Sequence, residues 1–335
     1  MSFARTFVIV AIVIFVSIGA AAYLKKSKVS SPLQSDKVST TKPKTAYANG
    51  AIEIDLKAIT APKQPQKEPP QSPLLPKSNK QAPVVDRIEL LFQKDSALPI
   101  VETIEYKSRV PWKKGKTALL YDYAQHYNTP LDFVLRSVYG KTGDSHTPIH
   151  DGVQLNVLKL DKDFSFYLVI DISRCKLWLY YLDPESQEHF LLKTYSVGLG
   201  KKDPDKTSGL LTPIGTYSLG KRVAIYKPRM MGRYKNQRVE LITVFGTRWI
   251  PFEKEIKDCS EPAKGFGIHG TPWIRDENDK LSDDTSSIGD YYSAGCIRLK
   301  SFDIEELYSI ISSRDAVVEI VRDFNDVVVP YKEKG

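Results

Sequence analysis

Sulfur and imidazole are scarce: the 335-residue chain has three cysteines, three methionines and five histidines. Cys175, Cys259 and Cys296 fall in no CxxC or His-rich pattern, so a structural zinc site is not expected, and nothing in the sequence calls for a metal or organic cofactor. In an exported chain the odd count leaves either one free thiol or all three reduced, and Cys175 with Cys259 is the one intramolecular pairing compatible with a free Cys296. Strands that alternate with regular helical segments are also missing, which argues against parallel βαβ units. Aromatic residues are nearly absent from positions 25 to 83, where nine of the 21 prolines lie. Such a segment cannot bury enough apolar surface to offset ordering entropy and is expected to be a flexible tether over residues 25–85.

Acidic residues are few in that tether. It carries 11 lysines and four acids, a surplus of seven out of the formal net charge of +8. The remaining chain is close to neutral, so the basic balance is no argument for nucleic acid as a partner. Before the tether, Phe7 to Leu24 is an uncharged, mostly apolar run near the length of about 17 residues that spans a bilayer. Residues 1–24 read as a signal anchor or signal peptide, and an uncleaved anchor is favoured because the run exceeds a usual cleaved apolar region. Ala20, Ala21 and Ala22 would suit a cleavage site, and Lys25, Lys26 and Lys28 oppose an outward body by the positive-inside rule.

Residues 105–160 read as a small α+β unit. Leu120, Tyr123, Ala124 and Tyr127 recur at helical spacing within 116–127. Thr129 as N-cap and Pro130 at the first helical position predict a second helix with Leu131, Val134 and Leu135 on one face, followed by a strand from Val153 to Leu158. From Phe166 onward strands dominate: 166–172, 176–182, 190–197, 215–219, 239–245 and the segment around His269. One late helix is expected with Asp303 as cap and Ile304, Leu307, Ile310 and Ile311 as its buried stripe, then a strand from Val317 to Val321. The fold class expected is mainly β, a sandwich or barrel with short helices.

The chemistry concentrates in two short stretches, Gly267 to Trp273 and Ser293 to Leu299. A cysteine is a useful acyl-transfer nucleophile only as thiolate, which a nearby histidine can generate. His269, among small residues at a strand end, is the best partner for Cys296. Gly270 and Gly295 remove side chains beside both groups, letting a substrate backbone approach and backbone N–H groups face an oxyanion. Arg298 shares a face with Cys296 if the segment is extended and can hold a carboxylate. Taken singly each residue has an ordinary reading: a buried apolar thiol, a capped histidine, a solvated charge. Their conjunction with the two glycines favours catalysis.

With these motifs in view, residues 164–323 resemble the YkuD family, the L,D-transpeptidase catalytic domain of bacterial cell walls. The resemblance rests on Val197-Gly198-Leu199-Gly200, on Thr212-Pro213-Ile214-Gly215-Thr216-Tyr217, on His269-Gly270-Thr271 and on Ser293-Ala294-Gly295-Cys296-Ile297-Arg298. It implies Cys296 as nucleophile, His269 as base, the Gly270 carbonyl as its orienting partner, Gly295 as a backbone contributor, and Arg298, Trp273, Ser293 and Thr271 as substrate-binding residues. The implied reaction is cross-linking of peptidoglycan tetrapeptide stems with release of D-alanine, in the cell envelope outside the cytoplasmic membrane. L,D-carboxypeptidase activity at the same site is the alternative. Many family members have histidine where Ala294 stands, which keeps open a second alternative, a non-catalytic peptidoglycan-binding anchor. The acidic, serine-rich stretch from Asp276 to Asp290 is expected to be a loop over the cleft. Residues 105–160 resemble a LysM module, which implies glycan strands as a further partner. Residues 324–335 are expected to be a tail.

Overall fold

The computed structural model describes residues 82–140, 148–220 and 224–334. The apolar segment at 7–24 and nearly all of the expected tether lie outside these. Among the described residues no helix is long and apolar enough to cross a membrane.

The chain first forms strand β1 (Val101–Glu105), helices Leu120–His126 and Leu131–Tyr139, and strand β2 (Gln154–Leu158). The two strands pair antiparallel, with Val101 opposite Leu158 and Glu105 opposite Gln154. Their core is small: Tyr106, Ala118, Leu120, Tyr123, Val134, Leu155 and Val157. The second helix begins one residue later than expected, with Pro130 as its N-cap. Thr129 is drawn elsewhere, since its Oγ accepts the Leu158 N–H at 2.9 Å and donates to Tyr127 O at 3.1 Å. A tertiary hydrogen bond has displaced a local cap.

The remaining strands are β3 (Ser165–Asp171), β4 (Lys176–Asp183), β5 (Glu188–Ser196), β6 (Leu199–Gly200), β7 (Gly215–Leu219), β8 (Ala224–Ile225), β9 (Met231–Tyr234), β10 (Gln237–Glu240), β11 (Arg248–Lys257), β12 (Gly267–Gly270), β13 (Trp273–Arg275), β14 (Leu281–Asp283), β15 (Tyr291–Ser293), β16 (Ile297–Leu299), β17 (Ala316–Val321) and β18 (Lys332–Glu333). The main sheet runs in the order β16-β12-β11-β7-β17-β3-β4-β5-β18, with β8 on β11. The mainly β class is as expected. The sheet is mixed, however, because β17 pairs parallel with β3 and β16 parallel with β12. The 239–245 stretch is not one strand: β10 ends at Glu240 and a one-turn helix, Ile242–Phe245, follows, closed by Gly246 at φ +63°.

Strands β3 and β4 are buried along nearly their whole length, as central strands covered on both faces must be. One face, with Leu168, Ile170 and Leu179, meets the helix Ser301–Ile311 and the segment Ile88–Leu91. The other, with Val169 and Trp178, is covered by Val85, Phe324, Val327 and Val329. Trp178 donates its indole N–H to Pro83 O at 2.7 Å and stacks on Phe324 with ring centroids 4.2 Å apart. The segment expected as a tail thus closes the sheet, and β18 extends it.

A buried carboxylate joins the upstream unit to this sheet. Glu306, on the Ser301–Ile311 helix, is 2% exposed and accepts from Arg136 of the upstream unit at 2.7 Å, Lys193 of β5 at 2.5 Å and Tyr195 Oη at 3.0 Å. Two cations and a phenol offset the desolvation of one carboxylate. Arg248 of β11 adds an ion pair to Asp132 at 3.5 Å, and Arg314 donates to Asn128 O at 2.6 Å.

Candidate active site

The two stretches singled out in the sequence lie side by side in the sheet. Strands β12 and β16 run parallel with Ile268 opposite Ile297 and His269 opposite Arg298. Cys296, one residue before β16, therefore sits at the strand entrance next to the Gly267–His269 segment, with its Sγ 3.7 Å from Gly265 O. His269 is 4% exposed. Its Nδ1 lies 2.7 Å from the Gly270 carbonyl, which can only accept, so Nδ1 carries the proton and Nε2 is left as the basic nitrogen. Phe245 and Trp249 pack against the ring, each with centroids 5.6 Å away.

Both groups are neutral at rest. Burial pushes the Cys296 thiol up to about 11, against smaller opposing effects of the Gly267 backbone and the Arg298 guanidinium. Burial likewise lowers His269 to about 4, opposed by its backbone partners Gly270 and Phe245 and reinforced by Arg298. Taking either charge out of water outweighs what its neighbours return.

The backbone around Cys296 is held by three elements remote in sequence. Gly295 has φ +122°, and a Cβ there would lie 2.6 Å from Phe266 Cε1 and 2.7 Å from Leu211 O. Thr212, fully buried, donates to Gly295 O at 3.0 Å and accepts the Gly200 N–H at 2.7 Å. The Thr-Pro and Gly-Leu-Gly motifs meet at this one hydroxyl. Ser293 Oγ donates to Cys296 O at 2.6 Å and accepts the Gly295 N–H at 3.0 Å. The Gly295 amide is thereby occupied within the turn.

Arg298 forms an antiparallel bridge with Gly198, its N–H donating to Gly198 O at 2.8 Å. Its side chain is half-buried, and its Nε has no hydrogen-bond partner. Burial lowers its pKa, while the nearby Cys296, Tyr234 and Asp284 favour the charge. No carboxylate among the described residues forms an ion pair with it. Thr271 and Trp273 belong to a separate bracket: Thr271 Oγ donates to Asp283, whose other oxygen accepts the Ser301 N–H at 2.9 Å, and Trp273 Nε1 donates to Ser301 Oγ at 2.8 Å.

Residues 165–320 match the family model for the L,D-transpeptidase catalytic domain, YkuD. The chain carries a YkuD domain. Similar solved structures include Bd1075 of Bdellovibrio bacteriovorus, 16% identical, covering 48% of this chain and 49% of that one, with a TM-score of 0.32. Another is the helical cell shape determining protein Pgp2 of Campylobacter jejuni, 16% identical over 51% of each chain, TM-score 0.32. A third is L,D-transpeptidase 1 of Mycobacterium tuberculosis, 18% identical, covering 53% of this chain and 75% of that one, TM-score 0.23. The chain spans about half the length of the first two. No curated protein matches it.

Within the YkuD domain the structure brings Cys296, His269, Gly270, Gly295 and Arg298 together. Ser293 and Thr271 are buried, at 1% and 0% exposure, with their hydroxyls committed inside the protein. Both shape the site from behind. Trp273 is half-buried and packs with Cys296 against Tyr226, Phe245 and Trp249. That aromatic wall was not found in the sequence, nor was β9–β10, which supplies Tyr234. Four aromatic residues between 226 and 249 were the available signal, but their spacing fits neither a helix nor a strand. The Asp276–Asp290 stretch, expected as a loop, is largely ordered: β13 and β14 pair as a hairpin and Asp284 caps a short 3-10 turn at Thr285–Ser287. Arg275 of that hairpin pairs with Glu240 of β10 at 2.6 Å. Cys175, Cys259 and Cys296 are all free thiols, so of the two states the odd count left open the structure has all three reduced. Cys175 occupies the β3–β4 turn at φ +51°, whereas Cys259 follows β11 and donates to Thr216 O at 3.1 Å.

Proposed function

We propose that the domain is a peptidoglycan L,D-transpeptidase working through a thioester on Cys296. The observation that carries this reading is the parallel β12–β16 pairing, which sets the Cys296 thiol, an imidazole whose Nδ1 faces the Gly270 carbonyl and an arginine with no ion-pair partner among the described residues along one strand entrance.

The donor is a tetrapeptide stem. His269 takes the thiol proton as sulfur attacks the carbonyl between the L-centre of the diaminoacid and the terminal D-alanine. The C–N bond breaks, the imidazolium returns its proton to the leaving amine, and D-alanine departs. With the Gly295 N–H held by Ser293, the Cys296 amide is the donor left to face the oxyanion. Arg298 holds a substrate carboxylate. An amine of a second stem then attacks the thioester, and the thiol is regenerated. Water as acceptor would give an L,D-carboxypeptidase. This activity belongs in the cell envelope outside the cytoplasmic membrane, and the segment at 7–24 is proposed to anchor the chain there.

The test is incubation of purified protein with tetrapeptide muropeptides and mass analysis of products and protein. Cross-linked dimers, free D-alanine and an acyl adduct on Cys296 are expected. Undiminished dimer formation by Cys296→Ala refutes the mechanism. Absence of both adduct and product from the wild-type protein favours a non-catalytic anchor.

A further inference from the structure

The β9–β10 hairpin carries charge that neither the fold nor the chemistry at Cys296 accounts for. Lys235 and Asn236 both take positive φ, +48° and +63°, which closes a tight two-residue turn matched to the twist of its strands. One face of the hairpin is committed to the interior. A Cβ on Gly232 would lie 2.6 Å from Leu241 Cδ2, and Tyr234 meets Phe245 edge-on with ring centroids 5.5 Å apart. Strand alternation then sends Met231, Arg233 and Arg238 outward, and all three are exposed.

This outer face is arranged against its own stability. Arg233 and Arg238 stand directly opposite each other in the ladder, where like charges repel and an opposite pair would stabilise. Lys227, Arg229 and Lys235 are exposed in the flanking turns, and none of the five cations forms an ion pair with a described residue. The one acid in 224–240 is Glu240, and its carboxylate is taken by Arg275 at 2.6 Å and by the Arg229 backbone N–H. Among the cations two large apolar side chains stand in water, Met230 at 41% and Met231 at 46% exposure. The segment has no exposed aromatic ring, since Tyr226 is buried and Tyr234 half-buried. It therefore lacks a stacking platform for a sugar or a base and instead mixes thioethers with cations.

We propose that the outer face of β9–β10 docks on an anionic lipid surface. The cations meet headgroup charge while the methionines enter the interface, the combination that holds peripheral segments on membranes. The choice of a bilayer rests on the envelope placement and membrane anchor proposed above, which keep the chain near lipid, and is independent of acyl transfer. Tyr234, on the inner face, packs in the same cluster as Cys296, so docking holds the Cys296 site close to the bilayer surface.

The test is hydrogen exchange of the full chain on vesicles of phosphatidylcholine alone or of an equimolar mixture with phosphatidylglycerol. Amides in 227–239 are expected to exchange about tenfold more slowly on the anionic vesicles, and high salt should reverse the effect. Arg233→Gln with Arg238→Gln should abolish the slowing, since each cation at an anionic surface is worth about fivefold in binding. Met230→Ser with Met231→Ser should reduce it. Both variants should melt no lower than the parent and form the acyl adduct on soluble tetrapeptide at the parental rate. Equal exchange on the two kinds of vesicle overturns the proposal, as does slowing that persists in the arginine variant. Slowing by soluble polyglutamate or by sacculi, with none on anionic vesicles, overturns it in favour of an acidic protein or the wall. Failure of the anchor shows separately, as a chain that does not stay with neutral vesicles; sedimentation with anionic vesicles, lost in the arginine variant, then carries the test. Absence of an adduct on soluble substrate bears on the transpeptidase reading alone.

Discussion

The resting state of Cys296 allows a quantitative test. With its thiol pushed from an ordinary value of 9.0 up to about 11, the thiolate population at neutral pH falls about a hundredfold below that of an unperturbed cysteine, a cost of about 2.7 kcal/mol. The perturbation is pH, and the assay is the pseudo-first-order rate of iodoacetamide addition to Cys296, followed by intact mass in a Cys175→Ser, Cys259→Ser background. The logarithm of the rate should rise with unit slope from pH 7 through pH 10 and bend only near 11. The profile, not the absolute rate, is diagnostic, since burial slows every point alike. Arg298→Met removes a group that favours the thiolate and should move the bend to still higher pH. A rate that is level across neutral pH would mean a preformed thiolate–imidazolium pair and would refute desolvation as the dominant influence on this thiol. In that event His269 would not be the resting base.

His269, at about 4 in the fold against 6.5 unfolded, is protonated first in the unfolded chain, so folding stability should fall as pH drops from 6.5 to 4. The span is about 3 kcal/mol, and denaturant melts at pH 4.5 and 7 should show it shrinking in His269→Phe. Glu306→Gln removes the buried carboxylate between Arg136 and Lys193 and leaves them only the more exposed Glu89 and Asp86. It should cost about 3–5 kcal/mol, read as a lowered melting temperature partly restored by adding Lys193→Met. Gly295→Ala meets Phe266 and Leu211 O with no room for a methyl; it should abolish acylation of Cys296, measured by intact mass, and normal acylation would show that the turn is not what positions the sulfur.

That Cys296, His269 and Arg298 lie together was legible because each sits in a short motif whose glycines mark places of close backbone approach. The Ser301–Ile311 helix was legible from its apolar period, though it starts two residues before the predicted cap, with Lys300 as N-cap and Asp303 in its first turn. Roles that depend on pairing across the sheet were not. Thr212 looked like part of a turn motif, and only the fold reveals that its hydroxyl ties Gly200 to Gly295. Ser293 and Thr271 have the chemistry of substrate contacts, yet neighbouring backbone and Asp283 claim their hydroxyls first. The aromatic wall was invisible because Tyr226, Phe245 and Trp249 come from a strand-edge turn, a one-turn helix and a strand, three elements with no common period. Ile88 and Leu91, between the expected tether and the upstream unit, were assigned to no element because their partners lie far downstream.

Those last residues change what counts as a separable piece. Ile88, Leu91, Ile100, Phe133 and Leu158 belong to the same apolar cluster as Leu168, Ile304 and Val318. A fragment truncated to 164–323 would strip eight buried side chains from that cluster, leave Glu306 without Arg136, and uncover the Trp178 face that Phe324 and Pro83 close. The described residues therefore cohere as one folding unit from about residue 82 onward, and a recombinant fragment cut at the family boundaries should misfold for reasons unrelated to Cys296.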